Sequence, residues 1–400
     1  MASDKQDKVL NVPTLRFPEF TDKWKECELQ DVASISKGAG ISKDQLSDTG
    51  EPCILYGELY TKYKSEVITD VLSKTNIDTA NLVRSKANDV IIPSSGETAI
   101  DISTARCVPF DNILFGGDLN ILRLREQDGR FFSYQLNGVR KLDIAQIAQG
   151  VSVVHLYGES LKRLIVRFPS ISEQEKISSL LAAIDERITT QNRIINEIQS
   201  LISGITQTVS KHTLTKMTML SELLVERNER NKALYPVYSV SVSEGVINQI
   251  DYLGRSFAAA DTSHYNVVHK GDIIYTKSPT GEFPFGIVKR NSVETNVAVS
   301  PLYGVYKPVS DDVAIYLHYY FCSPLNAQNY LHKLIQKGAK NTINITNQRF
   351  LENHIPLPDK TTLSRFVELM NAVSAKLKSE RSLLEALQRQ KKYLLTHMFV

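Results

Sequence analysis

A proline-to-helix junction occurs twice in this chain, and that recurrence constrains the fold more than any single motif. "LIVRFPSISEQEKISSLLAAIDERI" begins at Leu164, "NHIPLPDKTTLSRFVELMNAVSAKL" begins at Asn353, and Pro358 stands 189 residues after Pro169. Behind the first junction an apolar seam runs Ile177, Leu181, Ile184, Ile188, Gln191, Ile195, Ile198, Ile202, Ile205, Val209. Its steps alternate four and three, the signature of a helix that buries one narrow stripe against a partner helix. Adding 189 to each position gives Phe366, Met370, Val373, Leu377, Glu380, Leu384, Leu387, Lys391, Leu394, Met398. The polar break is matched too, Glu380 answering to Gln191. Shared proline, phase and interruption point to an internal duplication rather than to two unrelated amphipathic helices. Polar seam residues lower stability but fix register and orientation. Helices over 172–211 and 360–400, at ~1.5 Å per residue, are roughly 55–60 Å long. They would overhang an ordinary domain, so the economical arrangement sets the two seams against each other.

The repeat continues upstream more weakly. "NDVIIPSSG" (88–96) resembles "GDIIYTKSP" (271–279), "PCILYG" (52–57) resembles "PVYSVS" (236–241), and "HLYGESLKRLIVRFP" is shadowed by "NITNQRFLENHIPLP". The first two pairs read as β-branched or aromatic strands entering turns rich in Ser, Gly and Pro. The chain therefore divides into globular segment 1–171, helix 172–211, globular segment 212–359 and helix 360–400. Strands near 52–56, 89–92, 120–124, 237–242, 272–275 and 297–306, with helical stretches around 132–147 and 312–335, indicate an α+β fold in both globular parts.

Bulk properties narrow the function by exclusion. With 400 residues, 42% hydrophobic and 23% charged, the chain is a globular protein of two to three domains. It has no apolar run near the ~20 residues that cross a bilayer, and the polar start "MASDKQDKVL" lacks the apolar core of a secretory signal. Cys27, Cys53, Cys107 and Cys322 form no CxxC pair and fit a reducing compartment, so a cytoplasmic protein is expected. His264 and His269 are the nearest histidine pair, off any shared helical face, and no metal site is expected. Net charge is +3, close to balance, although residues 360–400 carry eight Lys and Arg against three Glu. That bias marks either a contact with something acidic or a solvated helical face. No GxxxxGK[ST], HExxH or GxSxG occurs, "KGAGISK" (37–43) lacks the third glycine of a dinucleotide turn, and no acidic metal-nuclease pattern is found. No catalytic residue is expected in this chain.

Three stretches resemble specificity subunits of type I restriction–modification enzymes: "VPTLRFPEFTDKWKECELQDVASISKG" (12–38), "HLYGESLKRLIVRFPSISEQEKISSLLAAIDERI" (155–188) and "LEALQRQKKYLLTHMF" (384–399). The second spacer departs mildly, with "TTLSRF" where the first has "SEQEKI", a weaker acidic helix start. The resemblance implies two target-recognition domains joined by two antiparallel helical spacers with pseudo-twofold symmetry. It implies a non-catalytic reader of double-stranded DNA that binds two methyltransferase subunits, which carry S-adenosylmethionine, and restriction subunits that translocate and cut. No cofactor is then expected in this chain, and the outward helical faces become the docking sites for the methyltransferases. Two linked readers imply a bipartite, asymmetric target with a fixed unread spacer. The rival reading is a coiled-coil adaptor that binds proteins, not DNA, through its globular ends.

Candidate DNA contacts follow from side-chain chemistry. "YGELYTKYK" (56–64) interleaves Tyr56, Tyr60 and Tyr63 with Lys62 and Lys64, lysine for phosphate and tyrosine for sugar or base edge; the alternative is a strand with alternate tyrosines buried. "PSSGET" offers Ser94, Ser95, Glu97 and Thr98 on a turn, Glu97 suited to cytosine N4, or else an inert polar turn. Lys37, Ser42 and Lys43 follow the same logic. In the second half the matching place holds Lys277, Ser278 and Thr280. Ser241, Ser243 and Asn248 lie on an alternating strand, while Lys289, Arg290, Lys340 and Asn341 offer phosphate contacts or form plain surface loops.

Overall fold

The structure, a computed structural model, describes residues 11–212, 215–250, 261–337 and 343–400. Its main helices are α1 (Gly129–Asn137), α2 (Lys141–Ile147), α3 (Ile171–Ser210), α4 (Asp311–Cys322), α5 (Pro324–His332) and α6 (Lys360–His397). The chain forms two compact units: Met1–Asn192 with Ser382–Val400, and Arg193–Arg381. This division cuts both long helices, unlike the four consecutive segments expected from sequence.

Unit 1 is built on an antiparallel sheet in the order Ala33–Lys37, Leu119–Leu124, Asp89–Pro93, Arg106–Val108. Strand alternation sends Val90, Ile92 and Leu122 into one core beneath α1, and Ile91 and Ile121 into a second core with Ile54, Leu59 and Phe115. Both faces are covered, which is why "VIIP" reads as a continuous apolar run. A second sheet in this unit contains the parallel pairing of Glu51–Ile54 with Leu114–Phe115.

Unit 2 repeats the topology. Its sheet runs Leu224–Glu226, Gly304–Pro308, Ile273–Tyr275, Val288–Arg290. In both units the first strand pairs with the fourth, the fourth with the second, and the second with the third. The weaker likenesses reappear as equivalent structure: Val237 bridges Ala298 in parallel, as Cys53 bridges Leu114. The expected strand at 297–306 is two strands, Val297–Val299 and Gly304–Pro308, broken by a turn at 300–303. Lys25–Glu28 pairs antiparallel with Ile165–Phe168 before α3, and Lys216–Met219 pairs antiparallel with His354–Leu357 before α6.

Each unit's core takes a stretch from both long helices. In unit 1, Ile177, Leu181 and Ile184 of α3 share a cluster with Leu394 of α6 and with Met398 just after it. In unit 2, Ile202, Ile205 and Val209 of α3 pack with Leu363, Phe366 and Met370 of α6. Of the polar seam positions, Gln191 and Glu380 are buried. The acidic helix start is weaker in the second helix, as expected: α6 has no acidic residue in its first turn, where α3 has Glu173. Asp359, just before α6, accepts from the Thr362 hydroxyl at 2.6 Å and from the backbone N–H groups of Thr362 (3.2 Å) and Thr361 (3.0 Å), and these bonds hold its carboxyl below the usual range. At the start of α3, Glu173 is buried and receives a two-pronged bond from Arg16, at 2.8 and 2.7 Å. Among the described residues, no helix is long and apolar enough to cross a membrane.

Candidate nucleic-acid interface

The aromatic–basic run of unit 1 is a helical turn, not a strand. Glu58–Thr61 is helical, with the Glu58 carboxylate accepting from Leu55 N–H at 2.9 Å and pairing with Lys62 one turn on. A spacing of four therefore sorts the side chains. Leu59 and Tyr63 turn into the core, and Tyr56 and Tyr60 stay half-buried at the surface. Tyr63 is thus a core residue: its hydroxyl oxygen accepts from Leu72 N–H at 3.3 Å, and burial pushes its phenol up to about 12. Lys62 is partly spent on Glu58 (2.6 Å) and Ser73 (2.8 Å), while Lys64 is exposed.

The serine turn is also corrected. Ser94 and Ser95 are buried, because Ser95–Gly96 forms a strand with Val154–His155 and Ser94 N–H donates to Asp118 O at 2.7 Å. Neither serine faces solvent. Gly96 is required here, since a Cβ would lie 2.4 Å from Ile102 Cγ2. Glu97 and Thr98 remain exposed. Thr98 caps a one-turn helix, Ala99–Ile102, accepting from Asp101 N–H at 3.1 Å. Burial raises the Tyr60 phenol, and Tyr56, Glu97 and Asp101 raise it further, so these groups share one patch.

Lys37 ends a sheet strand opposite Asn120 and is exposed, as are Ser42 and Lys43. Ser42 starts the short turn Lys43–Gln45, its backbone N–H donating to Gln45 Oε1 at 3.0 Å. Of the intervening glycines, Gly38 serves packing, since a Cβ there would sit 2.0 Å from Gly116 O, and Gly40 holds a φ of +56°.

Sequence reasoning missed the loop that leads into the Ser95 partner strand. Gln149 and His155 bridge across it, Val151 at its tip is 97% exposed, and Val153 is exposed beside it. His155 stacks on exposed Tyr157 at 6.2 Å. Alternating "VSVV" reads as an ordinary strand, so only the bridge reveals a tip.

In unit 2, Lys277 follows strand Ile273–Tyr275 at φ +62°, half-buried. Burial pulls its ammonium down and the Glu226 carboxylate opposes that. Ser278 and Thr280 are exposed, on a turn closed by reciprocal backbone bonds between Thr280 and Phe283. Ser241, Ser243 and Asn248 belong to the hairpin Tyr238–Ser241/Gly245–Asn248; only Ser243 is fully exposed, and Asn248 Oδ1 accepts from Ile250 N–H at 2.9 Å. Lys289 is a correction: it is 5% exposed, with its ammonium 3.2 Å from Cys322 Sγ, and cannot reach a phosphate from there. Arg290 is half-buried and paired with Asp311. Lys340 and Asn341 lie outside the described residues.

The fold is that of type I restriction–modification specificity subunits. The chain matches the S subunit of such a system from M. genitalium with TM-score 0.63 and 16% identity, covering 97% of this chain and 99% of that one. It also matches a chain solved in work on complex assembly and conformational transition of the type I R-M system, with TM-score 0.52, 13% identity and coverage of 93% and 96%. Residues 21–200 match the family model described as the type I restriction modification DNA specificity domain.

Proposed function

We propose that this chain is the specificity subunit of a type I restriction–modification complex and reads a bipartite, asymmetric DNA site, one half per unit. The observation that carries the proposal is the repeated first–fourth–second–third sheet order, each copy with exposed polar loops at strand ends and each followed by a long helix. Two copies of one scaffold with different loop residues suit two different half-sites. Unit 1 presents Tyr60, Glu97, Lys37, Lys43 and the Val151 tip; unit 2 presents Ser278, Thr280 and Ser243. Lysines meet phosphate, Glu97 accepts from cytosine N4, and exposed valines suit a thymine methyl.

On this reading α3 and α6 form an antiparallel coiled-coil spacer that fixes the gap between half-sites. The chain itself is non-catalytic and works in the cytoplasm. Two methyltransferase subunits supply S-adenosylmethionine and methylate adenine, and restriction subunits translocate and cut. A near-neutral +3 chain fits, because partner subunits share the phosphate attraction.

The test is to co-express the chain with its methyltransferase subunit and map methylated bases across the host genome. Methylation confined to one split motif is expected. An assembled complex that binds duplex DNA without sequence preference defeats the reading and favours the adaptor.

A further inference from the structure

The C-terminal end of α4 carries a side-chain cluster that DNA reading does not use. Lys289, on Val288–Arg290, is 5% exposed, and the partner the fold supplies for its ammonium is Cys322 Sγ at 3.2 Å. An ammonium taken out of water calls for an anionic partner. His318, one helical turn before Cys322, places Nε2 3.9 Å from the same sulfur. Its Nδ1 accepts the Arg290 backbone N–H at 3.3 Å, which leaves the proton of the neutral ring on Nε2, towards the sulfur. Two donors on one sulfur make the surroundings of a thiolate.

The other cysteines have the opposite setting. Burial would raise the Cys322 thiol as well, but His318 and then Lys289 outweigh it and bring it to about 6. Burial raises Cys27, takes Cys53 to about 11 and takes Cys107 to about 12. Among the described residues, charged and titratable neighbours also include Arg290, which is paired with Asp311, and Tyr319, whose hydroxyl is bonded to Ser374 Oγ. Cys322 as a residue is half-buried.

We propose that Cys322, held between Lys289 and His318, is a modification site for small hydroperoxides. The thiolate sulfur attacks one peroxide oxygen, an S–O bond forms and the O–O bond breaks. Sulfur is oxidised by two electrons to sulfenic acid. The departing hydroxide (an alkoxide where the peroxide carries an alkyl group) takes a proton from the Lys289 ammonium and leaves as water or alcohol, and solvent restores that proton.

The experiment treats the full chain with hydrogen peroxide and dimedone near neutral pH and maps adducts on all four cysteines by peptide mass spectrometry. Cys322 should trap at least about tenfold faster than Cys27, the other half-buried cysteine. Iodoacetamide labelling of Cys322 should rise through about pH 6. Lys289→Met and His318→Gln should move that midpoint upward, and Lys289→Arg should largely restore it. Equal trapping of Cys322 and Cys27 overturns the proposal. So does a midpoint near that of a free thiol in the unmutated chain, a result that needs no variant to fold.

Discussion

The Lys391 ammonium lies 2.5 Å from the Asp185 carboxylate and also pairs with Glu66, joining α6, α3 and the loop that carries Glu66 inside unit 1. Tyr134 of α1 donates its hydroxyl to Asp185 at 2.8 Å. Lys391 is a polar seam position of α6 that α3 does not match, since its counterpart there is Ile202. The departure has a cause: a lysine there neutralises two acids that the fold has taken out of water. Lys391→Met keeps the stem and removes the charge, so it should destabilise unit 1 by about 3–5 kcal/mol, whereas Lys391→Arg should cost less. Denaturant unfolding of both variants checks this; equal effects would mean the stem alone matters.

Asp185 adds a pH dependence. Burial raises its carboxyl above the usual range, the Lys391 ammonium opposes that, and Glu66 adds to it. The folded chain therefore holds this proton more tightly than the unfolded chain. The resulting stabilisation is fully present below the ordinary value of 3.8 and fades as pH rises through the higher folded value. Asp185→Asn removes the titration. Between about pH 7 and about pH 4 the native chain should gain melting temperature relative to Asp185→Asn as pH falls. A constant or opposite gap contradicts the assignment.

Two glycines predict opposite signs. Gly38 has Gly116 O 2.0 Å from where a Cβ would be, and that obstacle is backbone. Gly38→Ala should cost about 1–3 kcal/mol through forced displacement. Gly204, inside α3, has nothing within 4 Å of that point. Gly204→Ala should stabilise the chain by about 0.5–1 kcal/mol through lower unfolded-state entropy. Thermal melts of the pair decide it.

The scaffold was legible in the sequence because its signals are local or repeated. The three stretches that carry the family resemblance all lie in unit 1 and close on one another. Trp24 meets Phe131 and Phe399 edge-on at 5.6 and 6.5 Å, Leu15 N–H donates to His397 O at 2.9 Å, and Arg16 grips Glu173. The contact surface was much less legible. Ser94 and Ser95 lose their solvent to a partner strand about 60 residues downstream, and Lys289 loses its own to Cys322. Tyr63 is turned inward by a helical period too short to recognise within nine residues. Val151 went unnoticed because apolar residues are read as core until a bridge places one at a tip.

The proposed contact residues that stay exposed yield a specificity prediction. Glu97→Ala combined with Val151→Ser should relax one half-site of the bipartite motif by about 1–3 kcal/mol at a single base and leave the other unchanged. Tyr63→Phe, a change in the core, should leave both half-sites alone. Selection from random duplexes by the assembled complex reads all three outcomes. Loss of preference in both half-sites would place these residues in assembly instead.

The proposed spacer role of the two long helices can be tested by length. α3 is one uninterrupted helix, Ile171–Ser210, and α6 is another, Lys360–His397. If they act as a ruler, one heptad added to each at matched seam positions keeps every apolar residue in phase. It lengthens the spacer by about 10 Å at ~1.5 Å per residue. At ~3.4 Å per base pair, the unread gap in the selected site should widen by roughly three base pairs while both half-sites keep their sequence. Adding a heptad to only one helix throws the seams out of match and should instead unfold the pair. A folded double-insertion variant that still selects the original gap would show that something other than helix length sets the spacing.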